Sequence, residues 1–185
     1  MRIIAIAITA ALATAACGGA AQPAPTSAAP TKTAAPSPTP VTKVTFEITP
    51  KPENEVPPVT NDEKVITCKA SVVFDLTRDA AGKISTAKAS VDISFANLPA
   101  GTAILIGHIH GPGAAGVSAG VKVPFKTDQE NPLPVSNGTA SFKKADVTVE
   151  ADLATQILDK PTDWYLNFHS KLNPGGMCRA QLKTA

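Results

Sequence analysis

Three histidines are the residues of this chain best suited to bind something, and two of them are near neighbours. His108 and His110 stand in Gly107-His108-Ile109-His110-Gly111-Pro112, at the end of the apolar run Ala103-Ile104-Leu105-Ile106. Side chains of an extended chain alternate faces, so the two imidazoles point the same way, roughly 6–7 Å apart. Such a pair serves either as metal ligands or as hydrogen-bonding groups at a strand end. With His169 from a neighbouring strand it would form a facial three-nitrogen set for Zn²⁺ or Cu²⁺, with water or Glu55 in the fourth place. The structural alternative is a network of His108, His110, His169, Glu55 and Arg179 that pins strand ends and loops.

Other chemistries find little support. No serine stands in a nucleophile elbow and no pair of carboxylates stands out. Residues 111–116 are glycine-rich but lack the Lys-Ser/Thr ending of a phosphate-binding loop. Ser170 follows His169, yet neighbours on a strand face opposite ways, so adjacency makes no dyad. Catalysis is therefore not expected. The net charge is only +2 and the lysines are scattered, which argues against nucleic acid as a partner.

The three cysteines divide into one and two. Met1-Arg2, a short apolar run and small residues up to Cys17 read as a secretory signal over residues 1–16. Leu12-Ala13-Thr14-Ala15-Ala16-Cys17 resembles the bacterial lipobox, with Thr14 where that motif favours leucine. Lipidation of Cys17 would tether the protein to the outer face of the cell membrane. Residues 17–42 are rich in Ala, Pro and Thr and read as a disordered spacer. Cys68 and Cys178 both fall in the apolar register of their strands. Both would point into the core of an exported protein, which predicts a Cys68–Cys178 disulfide.

The elements that must position these residues are strands. Aromatic content is only 4%, so the core must rest on small and β-branched side chains. Val44–Ile48 alternates. Val65–Leu76 puts Ile66, Cys68, Ala70, Val72, Phe74 and Leu76 on one face. The next strand puts Ala87, Ala89, Val91, Ile93 and Phe95 inside. Thr102–His110 is apolar on both faces, so a central strand is expected. Further strands follow around Val121–Phe125, around the Asn137-Gly138 hairpin signal (Leu133–Val135 with Thr139–Phe142), and at Trp164–His169 and Met177–Leu182. Leu153, Ile157 and Leu158 recur at helical spacing within Glu150–Leu158. The expected architecture for residues 43–185 is an all-β antiparallel sandwich or partly open barrel with one short helix. If the last two strands pair, Asn167, His169, Arg179 and Gln181 share a polar face.

Taken together, the motifs resemble the CHRD domain, named after chordin. They are Glu53-Asn54-Glu55-Val56-Pro57-Pro58, then His108-Ile109-His110-Gly111-Pro112, then Tyr165-Leu166-Asn167-Phe168-His169-Ser170, then Asn173-Pro174-Gly175-Gly176 with Arg179 and Gln181-Leu182. The last motif departs from the family's Gly-Glu-Ile-Arg-Gly-Gln pattern at Met177, Cys178 and Ala180. The resemblance implies an extracellular module that binds an envelope protein or glycan, or that serves a structural role, without a bound cofactor. The His-x-His strand, the glycine-rich loop and the expected disulfide also look loosely like copper–zinc superoxide dismutase. Three histidines are too few for its two-metal centre.

Overall fold

The computed structural model describes residues 41–183. The expected signal segment, Cys17 and most of the expected spacer lie outside the described residues. No helix among the described residues is long and apolar enough to cross a membrane.

Eight strands form two antiparallel four-stranded sheets. The first sheet holds β1 (Val41–Ile48), β2 (Thr67–Arg78), β3 (Ile84–Ala96) and β6 (Ala140–Val149), in the order β1-β2-β3-β6. The second holds β4 (Ile104–His110), β5 (Val121–Lys126), β7 (Tyr165–Ser170) and β8 (Cys178–Gln181), in the order β5-β4-β7-β8. The sheets remain separate, so the sandwich of the two expected architectures is the one realised. β4 is an inner strand, in keeping with its double-sided apolar pattern.

Alternation explains the first sheet. Every expected inward residue of β2 and β3 is buried, from Cys68 to Leu76 and from Ala87 to Phe95. Leu166, Phe168, Ile109 and Val123 answer them from the second sheet. Phe95 and Phe168 meet edge to face with centroids 5.4 Å apart, a favoured aromatic geometry. The helix α1 (Ala151–Asp159) buries Ala154 and Ile157 and packs against β3.

Two expectations need correction. Leu133–Val135 is not a strand. The Asn137-Gly138 turn forms with positive φ at both residues, but only Ser136 and Thr139 bridge across it. Leu133 instead donates its N–H to the Ile104 carbonyl, and proline on either side of it prevents a regular ladder. The polar outer face of the second sheet is not open to solvent. All six residues of β7 are buried, because three loops cover its outer face. Finally, Cys68 and Cys178 meet across the two sheets, as expected, but as free buried thiols with Sγ atoms 2.9 Å apart and no bond between them.

Candidate functional site

The polar residues singled out by sequence gather on the outer face of the second sheet. Pairing sets their places. Tyr165 lies across from His110 and Asn167 across from His108, on the β4 side of β7. On the other side Tyr165 faces Gln181 and Asn167 faces Arg179. His169 follows Asn167 on the same face. The seven expected residues are brought together: Glu55, His108, His110, Asn167, His169 and Arg179 are buried, and Gln181 is half-buried.

The three imidazoles face one another. The ring centroids of His108 lie 5.1 Å from His110 and 5.0 Å from His169. One ligand atom from each residue falls within 4.8 Å of the other two. Donors around a tetrahedral zinc sit about 3.4 Å apart, given Zn–N bonds of about 2.0–2.1 Å, so a modest contraction would close the set on an ion.

Backbone carbonyls fix the tautomers. His110 Nδ1 donates to the Ala119 carbonyl at 2.9 Å, and His169 Nδ1 donates to the Pro174 carbonyl at 2.8 Å. A carbonyl only accepts, so each Nδ1 carries the proton and each Nε2 carries a lone pair turned inward. His110 Nε2 lies 3.2 Å from His108 Nδ1. His169 Nε2 is buried without any partner. This is the outer support that metal-binding histidines use, in which the far nitrogen is anchored so that the near one can ligate. Burial is also the largest cause of the shift of all three histidines toward the neutral form, with His108 lowered from 6.5 to about 4. Neutral imidazole is the form that binds metal.

A second group supports the first. Segment 51–55 latches onto the outer edge of β8 through the Lys51 and Arg179 backbones, which exchange hydrogen bonds at 3.0 and 3.2 Å. Asn54 Nδ2 adds a bond to the Arg179 carbonyl. This carries Glu55 under the loop, where its carboxylate accepts from Asn167 Nδ2 at 2.9 and 3.2 Å. Burial raises the Glu55 carboxyl from 4.5 to about 8, against the pull of Arg179 and Asn167. Arg179 lies 3.5 Å from the Tyr165 ring centroid, and that ring stacks on His110 at an interplanar angle of 2°. The guanidinium also donates to the Ala114 and Val117 carbonyls, and Gln181 donates to Gly113. The glycine-rich loop is therefore held from beneath by Arg179 and Gln181, and it returns the Ala119 carbonyl to His110.

The likeness of these motifs now has independent support. The CHRD domain model matches residues 46–182. The chain belongs to the CHRD domain family. Neither the curated protein sequences nor the solved structures hold a significant match to it.

Sequence reasoning missed two parts of this CHRD site. Tyr165 stands in the third motif without a role, and nothing in its local pattern announces the stack with Arg179. Glu63 is not singled out by the sequence, yet it is 1% exposed. Its carboxylate accepts from the Ser170 hydroxyl and from Asn173 Nδ2, and Asn61 Nδ2 donates to Asn173 at 2.9 Å. This network holds the turn that carries Pro174. It also separates Ser170 from His169, whose Nδ1 bonds elsewhere.

Proposed function

We propose that this CHRD domain is a binding module of the cell envelope whose ligand is a single Zn²⁺ or Cu²⁺ ion, held by His108, His110 and His169. Lipid on Cys17 would tether it to the outer face of the membrane through the proline-rich spacer. The observation that carries the metal reading is the buried, unpartnered Nε2 of His169, with its tautomer fixed by Pro174 and two more imidazoles facing it. A network built only to pin loops would leave no inward lone pair without a donor, because such a group costs about 1–3 kcal/mol. An ion accounts for it. The donor set also suits the ion: three neutral nitrogens favour Zn²⁺ or Cu²⁺ over Ca²⁺ or Mg²⁺, which prefer oxygens.

The test is metal analysis of protein purified without chelator or affinity tag. The reading expects one zinc or copper per chain, lost on His108→Ala with little change in secondary structure. Protein that carries no metal and takes none up, yet loses melting temperature on the same substitution, refutes it in favour of a hydrogen-bonded network. Metabolic labelling with a tagged fatty acid tests the tether, and Cys17→Ser should abolish the label.

A further inference from the structure

His169 Nε2 is not the only orphaned lone pair in this layer. Asn167 Oδ1 is also buried without a partner. The two residues share the outer face of β7, two positions apart, and are 3% and 6% exposed for Asn167 and His169. Asn167 lies directly across the strand pair from His108. Its Nδ2 is committed to both oxygens of Glu55, which places Oδ1 on the side of the amide away from that carboxylate. Glu55 itself is spent on this bond, and Gly176 closes over it so tightly that a Cβ there would lie 2.2 Å from Glu55 Oε2.

Building on the three-histidine reading above, we propose that Asn167 Oδ1 is the fourth donor to the ion and that Glu55 is the positioning residue that aims it. Glu55 then acts through Asn167 and does not touch the metal. The resulting set has three nitrogens and one oxygen and is closed. Zinc sites that hydrolyse keep a position for water, whereas closed four-coordinate sites hold structure or store the ion. The ion would fasten β4 to β7, and through the Ala119 and Pro174 carbonyls it would fasten two covering loops. No position remains for a substrate.

Cobalt reports this directly, because its visible bands distinguish four-coordinate from expanded geometry. The full chain loaded with Co²⁺ should show intense four-coordinate bands that azide leaves unchanged. Asn167→Ala should open the position, weakening the bands and making them respond to azide. Asn167→Asp keeps an oxygen donor and should retain the closed spectrum, which separates loss of a ligand from loss of the fold. Glu55→Ala should weaken cobalt binding by roughly 10–100-fold, as outer partners of metal ligands do. A wild-type spectrum that shifts with azide, or one indifferent to Asn167→Ala, overturns the inference while leaving the three-histidine site standing. A chain that binds no cobalt overturns both.

Discussion

At the scale of single residues, the buried acid and the buried bases pull stability in opposite directions with pH. His108 is lowered from 6.5 to about 4, and His110 and His169 shift the same way. The unfolded chain therefore binds more protons than the folded one below 6.5, so their contribution is complete above 6.5 and is lost on acidification, for His108 as pH falls toward 4. Glu55 is raised from 4.5 to about 8. Here the folded state binds the extra proton, so its contribution is present below 4.5 and is lost as pH rises toward 8. Three groups outweigh one below 6.5, and Glu55 acts alone above it. Chelator-treated protein should be most stable near pH 6.5 and should decline on both sides in urea titrations. Glu55→Gln should remove the alkaline decline and leave the acid one. A Glu55→Gln profile identical to the wild-type profile would show that the carboxyl is not buried as described. The histidine pair was legible because a two-residue spacing on an extended run admits one geometry. Glu55 was named as a partner of the histidines, but its bond to Asn167 was not legible, because nothing in Pro52-Glu53-Asn54-Glu55 says which side chain the acid will meet.

At the scale of elements, the strands were legible from their two faces, β2 and β3 by alternation and β4 by an apolar pattern on both sides, but what covers a polar face was not. β2 and β3 alternate so cleanly that their inward residues could be named one by one. β7 does not follow that rule. Tyr165, Asn167 and His169 look like a solvent face, and only the segments that bring Ala119, Glu55 and Pro174 over them convert it into a polar interior. Those loops depend on close backbone approach. Gly176 has φ of +145° and lies against Glu55 and Asn167, with Asn167 Nδ2 2.7 Å from where a Cβ would stand. A methyl group there would combine backbone strain with a clash against a carboxylate that has nowhere to go. Gly176→Ala should cost about 1–3 kcal/mol of stability, as overpacking does, and should also weaken metal uptake by displacing Glu55 from Asn167. Denaturant titration with and without Zn²⁺ separates the two effects. A variant that loses stability but binds zinc like the wild type would show that the loop and the ligand set are uncoupled.

At the scale of the whole molecule, the two sheets are joined by packing and at one point by chemistry in waiting. Cys68 comes from β2 of the first sheet and Cys178 from β8 of the second, and their sulfurs lie 2.9 Å apart in the core. Burial is the first cause that raises the Cys178 thiol well above its ordinary range. A thiolate is the form that attacks a disulfide or reacts with an oxidant, so the folded protein protects the pair from later exchange. If the pair is oxidised at all, the bond must form before the sandwich closes. An exported chain would meet an extracytoplasmic oxidant whose own disulfide can accept the two electrons as the two thiols release their protons. The bond would close a span of 110 residues and would stabilise by up to about 4–5 kcal/mol through the unfolded chain, with measured values commonly lower. Protein recovered from the envelope should give a mass two hydrogens below the dithiol form and should label with alkylating reagent, after unfolding, only once reductant is added. The same sequence made in a reducing cytosol should label without reductant and unfold at lower urea, and the difference should vanish in Cys68→Ala/Cys178→Ala. Two labelled thiols on unreduced envelope protein would show instead that the pair is packed as small apolar side chains, with the sandwich held by its core alone.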